Sequence, residues 1–304
     1  MTVSVFIDGA AGTTGLEIRE RLTSRQDLQL ITLGEEQRKD PRARAEALND
    51  ADFVILCLPD DAAREAVGLI RGDTRVIDAS SAHRTSAGWT YGFPELGFDV
   101  ANAVRVSNPG CYPTGFLALV APLTKAGLVP ADWPLTVHAA SGYSGGGKAM
   151  VAEYQAGASA FRTYALGLRH KHLPEMTAHA GLLHPPIFAP AVANTYRGMV
   201  VEVPLHLHAL PGAPSHAAIR DVLARTFESH PLITVAPSTQ AVAIEENAGT
   251  DRLTLRVCAD GDTGTARLVA TLDNLGKGAG GAAVQNLNLM AGLDPLAGLI
   301  LEAR

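Results

Sequence analysis

Val3-Ser4-Val5-Phe6-Ile7-Asp8-Gly9-Ala10-Ala11-Gly12-Thr13-Thr14-Gly15 decides the fold. Residues 3–7 read as a buried strand, and residues 16–22 read as a helix. The turn between them carries glycines spaced GxxGxxG. A strand, a glycine-rich turn and a helix in that order bring backbone N–H groups up to a pyrophosphate, at the positive end of the helix dipole. The small Ala10, Ala11, Thr13 and Thr14 leave room for it. Gly9, Gly12, Thr13, Thr14 and Gly15 are therefore the candidate nucleotide contacts. The spacing alone is a weak signal, and its place at the first strand–helix turn gives it weight.

Working outward, residues 28–33, 53–58 and 75–79 read as further strands and 61–70 as a helix, with a charged, exposed loop over 35–44. Strands alternating with helices indicate an α/β, doubly wound parallel (Rossmann-type) sheet. After about residue 130 the rhythm changes. Strands at 135–139, 199–206, 252–259 and 265–271 are separated by proline-rich loops and one helix at 216–227, which indicates a second α+β domain with a mixed or antiparallel sheet. A last helix at 279–290 is expected to return to the first domain. The expected division is a dinucleotide-binding domain at 1–110, completed by 279–304, and a catalytic, substrate and oligomerisation domain at 111–278, with the active site in the cleft between them.

Composition narrows the function classes. At 304 residues the chain is long enough for two domains, and 47% hydrophobic against 18% charged residues excludes a largely disordered chain. A net charge of −6 argues against nucleic acid as a partner. Three cysteines without paired spacing exclude a disulfide scaffold and point to a reducing compartment. No basic, apolar leader opens the sequence and no apolar run approaches the length of a membrane span. A cytoplasmic location away from membranes is the expectation.

Ser107-Asn108-Pro109-Gly110-Cys111-Tyr112-Pro113-Thr114 holds the chemistry. Pro109 and Gly110 force a turn. Phe116, Leu117, Leu119, Val120 and Leu123 follow at helical spacing, with Gly127 as the stop. Cys111 is thus expected at a helix N-terminus, where unpaired N–H groups stabilise a thiolate and the oxyanion formed when it attacks a carbonyl. Cys57 and Cys258 fall in strand patterns and read as packing residues. Arg169-His170-Lys171-His172-Leu173-Pro174-Glu175 gathers basic side chains ahead of a proline. A zinc site needs other spacing and a second cluster, so the better reading is an acid–base histidine for Cys111 with cations for an anionic substrate. Arg84 follows a strand end, where a ligand crevice is expected, and is suited to a bidentate anion contact. The loop 141–148, with Ser141 at its start and Lys148 at its end, reads equally as a flexible anion-binding loop or a linker. Glu35 and Glu36 favour a ribose 2′-hydroxyl and thus NAD. Arg38 and Lys39 favour a 2′-phosphate and thus NADP.

GAAGTTG at 9–15, DASSAHR at 78–84, SNPGCYPT at 107–114, SGYSGGG at 141–147, HKHLPEM at 170–176 and DNLGKGAGGAAVQN at 273–286 occur in that order. With them the chain resembles the N-acetyl-γ-glutamyl-phosphate reductases, their shorter (type 2) branch in particular, along essentially its whole length. The resemblance implies NADPH-dependent reduction of N-acetyl-γ-glutamyl phosphate to the semialdehyde in arginine biosynthesis, through a cysteine thioester. It implies Cys111 as the nucleophile and His172, or else His170, as the acid–base. Arg84, Asn108, Ser141, Lys148 and Glu175 would contact substrate. Gly9, Gly12, Thr13, Thr14, Gly15, Arg38 and Gly278 would contact NADPH, with no metal. The assembly would be a homo-oligomer, a dimer or tetramer. The longer branch reads Ser-Ala-Asp-Phe-Arg where this chain has Ser80-Ser81-Ala82-His83-Arg84, so contacts there are expected to differ. Reduction of aspartyl phosphate on the same scaffold, or a non-catalytic nucleotide sensor, are the alternatives.

Overall fold

A computed structural model describes residues 2–34, 36–37, 40–261 and 263–302. The chain forms two compact units, Met1–Pro109 with Ala279–Leu299, and Gly110–Gly278 with the terminal segment from Ile300.

In the first unit six strands lie parallel in the order β2-β1-β3-β4-β6-β5. They are β1 (Val3–Asp8), β2 (Leu28–Ile31), β3 (Phe53–Leu56), β4 (Arg75–Asp78), β5 (Thr90–Tyr91) and β6 (Arg105–Ser107). Strand side chains alternate between faces, and both faces here are apolar. Val5, Ile7, Ile55 and Ile77 pack with Ile18 and Leu22 of α1 (Thr13–Thr23) and with Val284, Leu287 and Met290 of α8 (Gly281–Met290). Phe6, Val54, Leu56 and Val76 pack on the other side with Leu48 of α2 (Pro41–Asp50) and Ala63 and Ala66 of α3 (Asp60–Leu69). The last long helix thus belongs to the core of the first unit.

The expected exposed loop over 35–44 is corrected in part. Asp40 caps α2 by accepting the Arg42 N–H at 2.9 Å, and Pro41 sits at the first helical position, where its missing N–H costs nothing. The tail is corrected too. Ile300 exchanges two hydrogen bonds with Asp251, its carbonyl accepting the Asp251 N–H at 2.7 Å and its N–H meeting Oδ2 at 2.8 Å. The segment from 300 onward therefore joins the second unit, and the first ends at Leu299.

The second unit carries a mixed seven-stranded sheet in the order β11-β12-β13-β10-β7-β9-β8. Its strands are β7 (Thr136–Gly142), β8 (Phe161–Thr163), β9 (Ile187–Ala193), β10 (Met199–His206), β11 (Ile233–Val235), β12 (Leu253–Asp260) and β13 (Thr265–Leu272). α4 (Cys111–Lys125) packs on β10 and β13, and α7 (His216–Phe227) on β11 and β12. Met199, Val201, Val203 and Leu205 are buried, Val201 against Gly115 of α4, while Pro204 and His206 are exposed on the other face. α5 (Gly147–Gln155) and α6 (Leu173–His179) complete the unit. The loop expected to be flexible at 141–148 is instead a helical turn over Tyr143–Gly146 running into α5. It is held because Asn274 donates to the Ser144 hydroxyl at 2.8 Å and the Gly142 N–H donates to the Gly198 carbonyl at 2.8 Å.

Candidate functional site

In the first unit the turn after β1 has the geometry of an anion cradle. Gly9 adopts φ +88°, and a Cβ there would lie 2.3 Å from the Cys57 carbonyl oxygen. A Cβ on Gly15 would lie 2.4 Å from the Gly9 oxygen. Both glycines are thus demanded by the protein's own packing. Gly12 is not, because a Cβ there would meet only the Gly9 oxygen, at an ordinary 3.5 Å. Bare backbone at Gly12, with no side chain capping α1, leaves the N–H groups of its first turn, at Thr13 and Thr14, open to a phosphate. The residues present therefore fit a dinucleotide.

A cavity of about 270 Å³ adjoins this turn, lined by Asp8, Leu30, Leu33 and Leu58 and by two cations, Arg19 and Arg44. The Arg44 Nε–H donates to Asp8 Oδ2 at 2.8 Å, and Arg44 also pairs with Glu65 at 3.5 Å. Arg19 and Arg44 were not legible as site residues, since one sits within a helical pattern and the other closes the segment read as a loop. The Asp40-Pro41 helix start was the signal that α2 would carry Arg44 back to the sheet. Glu35, Arg38 and Lys39, the residues singled out for cofactor choice, lie outside the described residues.

Arg84 is buried. Its Nε donates to the Asn108 carbonyl at 3.0 Å and its Nη2 to the Ala79 carbonyl at 3.3 Å. The Asn108 side chain donates to the Ala279 carbonyl and accepts from Asn286, both at 3.0 Å. In this structure both residues tie segments of the first unit together. Sequence reasoning missed the buried Asp78, which accepts from the Ser80 N–H and hydroxyl and meets His83 Nδ1 at 2.6 Å.

In the second unit Cys111 is the first residue of α4, after Gly110. No side chain caps this helix; Pro113 has no N–H and the Thr114 N–H is taken by the Gly110 carbonyl at 2.9 Å, so the positive end of the helix dipole, with the Tyr112 N–H, is what favours negative charge at Cys111. Glu175, buried in α6, accepts the Gly110 N–H at 3.1 Å and so fixes the turn that presents Cys111. Gly278 packs against the cysteine: a Cβ on it would lie 2.9 Å from the Cys111 Cβ. Ser141 is buried, its hydroxyl donating to the Gly142 carbonyl at 3.1 Å. Lys148 is exposed on α5.

His170 and His172 stand beside Tyr112, the residue after Cys111, with ring centroids 6.1 and 5.9 Å from its ring. Tyr164 and Phe188 complete this aromatic cluster. Burial pushes the Tyr164 hydroxyl up to about 12, with charge at Cys111 acting in the same direction. Burial likewise raises Tyr112 well above the ordinary phenol value, helped by Tyr164 and by Cys111. Both phenols therefore keep their protons at neutral pH. Among the described residues no three His, Cys, Asp or Glu side chains gather as a metal site requires, and no helix is long and apolar enough to cross a membrane.

Cys57, one residue past β3, contrasts with Cys111. Burial, then the negative charges of Asp78 and Asp8, push its thiol up to about 12. Brief treatment with iodoacetamide at pH 8 should modify Cys111 and leave Cys57 intact, as read by peptide mass mapping. Equal labelling of the two would contradict this contrast.

Comparison with known proteins agrees with this geometry. Residues 4–104 match the semialdehyde dehydrogenase NAD binding domain, and residues 111–274 match the semialdehyde dehydrogenase dimerisation domain. The cofactor is accordingly a nicotinamide nucleotide. The chain is 50% identical to N-acetyl-gamma-glutamyl-phosphate reductase 2 of Pseudomonas putida, over 96% of this chain and 97% of that protein. It is 49% identical to N-acetyl-gamma-glutamyl-phosphate reductase of Burkholderia ambifaria, over 95% and 96%. In fold it is similar to a probable aspartate-semialdehyde dehydrogenase from Pseudomonas aeruginosa, with a TM-score of 0.72 at 16% identity, covering 96% of this chain and 99% of that one. A cysteine at a helix N-terminus, a glycine turn that fits a dinucleotide and near-full-length relatives at about half identity converge, and the chain belongs to the N-acetyl-γ-glutamyl-phosphate reductases, oxidoreductases of the semialdehyde dehydrogenase family.

Proposed function

We propose that this protein reduces N-acetyl-γ-glutamyl phosphate to the semialdehyde and inorganic phosphate with NADPH, in the cytoplasm and as a homo-oligomer, as a step of arginine biosynthesis. The observation that carries the reading is Cys111 at the head of α4, its turn fixed by Glu175. The Cys111 sulfur attacks the acyl carbon, the C–O bond to phosphate breaks, and a thioester remains on the protein. Gly12, Thr13 and Thr14 would hold the cofactor's pyrophosphate, and when bound the cofactor supplies a hydride. Backbone N–H groups at the start of α4 stabilise the oxyanion of the resulting thiohemiacetal. His172 protects the balance of protons: it takes the thiol proton to ready the sulfur and exchanges a proton with the oxyanion. Collapse breaks the C–S bond, frees the aldehyde and restores the thiolate.

NADPH is favoured over NADH by the two arginines, Arg19 and Arg44, that line the cavity beside the glycine turn. The test is phosphate-dependent reduction of NADP by the purified protein given N-acetylglutamate semialdehyde. Turnover is expected with that aldehyde, and kcat/KM is expected to be higher for NADP than for NAD. Turnover with the aspartyl aldehyde instead would overturn the substrate assignment, and an equal or better kcat/KM for NAD would overturn the cofactor preference.

A further inference from the structure

Between α6 and β9 four hydrogen-bonding contacts line up with one direction. The series ends at the Ala191 carbonyl, which only accepts. The Tyr112 hydroxyl donates to it at 2.9 Å. The Tyr112 oxygen in turn takes the proton of the Tyr164 hydroxyl at 3.4 Å. The Tyr164 oxygen faces His170 Nε2 at 3.3 Å, and with its own proton committed to Tyr112 it accepts there. His170 Nε2 must then carry a proton. The opposite nitrogen, Nδ1, lies 3.1 Å from the backbone N–H of His172, a group that only donates, so Nδ1 must be bare. This assignment satisfies all four contacts. A proton on Nδ1 would set two N–H groups against each other at that 3.1 Å contact.

We infer that His170 is a positioning residue, held neutral with its proton on Nε2, and that it fixes the backbone of His172 so that His172 alone moves protons at Cys111. The groups that enclose His170 support this. Tyr112, Tyr164, His172 and Phe188 all lie with ring centroids within 6.1 Å of its ring. These rings hold the imidazole in place, and the bare Nδ1 at the His172 N–H is incompatible with the imidazolium, in which both ring nitrogens carry protons. The phenols keep their protons well past neutrality because burial raises them, so the series keeps its direction throughout the working range. His172 is pinned on its other side too, its carbonyl accepting the Met176 N–H at 3.1 Å in the first turn of α6. With both backbone groups engaged, the imidazole of His172 leaves the main chain from a fixed point. The two histidines of one short motif therefore divide the work: one sets an angle and the other exchanges the proton. The division rests on the proposed reaction, while the tautomer stands on geometry alone.

Two experiments test it. In the full-length protein labelled with ¹⁵N-histidine, long-range ¹H–¹⁵N spectra should show residue 170 as a neutral Nε2–H imidazole at pH 7, with His170→Asn supplying the assignment. An imidazolium or an Nδ1–H tautomer would overturn the inference. In kinetics, His170→Asn keeps an oxygen close to where Nδ1 was and so can still accept the His172 N–H. It is expected to lower kcat only about threefold and to retain the limb of the kcat–pH profile that the acid–base histidine sets in the parent protein. His170→Ala, with no acceptor, is expected to lose about 10²-fold in kcat with KM little changed, the cost of a small misalignment. His172→Asn should abolish that pH limb. If His170→Asn and His170→Ala instead fell equally, by about 10²–10⁴-fold, and both lost the limb, His170 would be the acid–base and the inference would fail. A parent protein inactive toward the acyl phosphate but showing the Nε2–H tautomer would refute the proposed reaction and uphold the assignment of His170.

Discussion

Replacing Cys111 with serine is expected to lower turnover by roughly 10⁴-fold or more, the scale seen when a covalent nucleophile is removed. The substitution exchanges only the γ atom. The Cβ, which sits so close to Gly278 that a Cβ there would be 2.9 Å away, stays where it is, so the fold has no new contact to absorb. What changes is acidity. The positive end of the α4 dipole, with the Tyr112 N–H, can tip a thiol toward its anion at neutral pH, but a hydroxyl is too weak an acid for the same field to ionise it. An alkoxide is also a much poorer leaving group than a thiolate when the tetrahedral adduct collapses. Steady-state rates and an NADPH fluorescence titration on the variant separate these effects: rates should vanish while the titration is unchanged. A Cys111→Ser protein that kept most of its activity would mean hydride reaches a bound carbonyl with no covalent step.

The second large effect is a contrast between neighbouring glycines. Gly9→Ala forces a side chain into a left-handed backbone and sets its Cβ 2.3 Å from the Cys57 carbonyl oxygen. Backbone strain of about 1–3 kcal/mol and overpacking of similar size should together remove roughly 3 kcal/mol of stability or more. Gly12→Ala meets neither obstacle, with φ −71° and only the Gly9 oxygen nearby. Its stability should stay within about 0.5 kcal/mol of the parent. Its affinity for NADPH should nevertheless fall at least about tenfold, or 1.4 kcal/mol, because the methyl occupies the space a pyrophosphate needs. Denaturant melts and cofactor titrations of both variants give the answer. Unaltered NADPH binding by Gly12→Ala would show that the turn is packing and not a cradle.

Much of the parallel sheet was legible because its strands are apolar on both faces and are punctuated by glycine and proline. α2 was hidden for the opposite reason. Of its ten residues only Ala47 and Leu48 are buried, so the stretch has almost no apolar stripe to read. β9 carries Pro190 in its middle, a residue that normally argues against a paired strand, yet Pro190 holds register with Ala139 of β7. The run of glycines at 145–147 looked flexible because local propensity cannot register Asn274 arriving from 130 residues away to hold Ser144. The position of Cys111 at a helix start was readable from Pro109-Gly110 and the apolar spacing that follows. That Glu175 would reach back to the Gly110 N–H was not, since it depends on how α6 docks on α4. The resemblance makes Glu175 and Asn108 substrate contacts, and the place of Arg84 after a strand end makes it one too; in the structure each also holds a backbone segment in place.

The return of α8 to the first unit bears on how the chain is made. Ala283, Val284, Leu287 and Met290 supply one wall of a core whose other buried members lie within the first 109 residues. A nascent chain emerging from the ribosome therefore displays Ile18, Leu22, Ile55 and Ile77 long before their covering helix has been synthesised. The stretch 110–278 is contiguous and needs only the short segment from Ile300 to close its Asp251 clamp. Vectorial synthesis thus favours the unit begun second as the one to consolidate first. The amino-terminal unit must wait, with an apolar face uncovered, until residues 279–299 have been made.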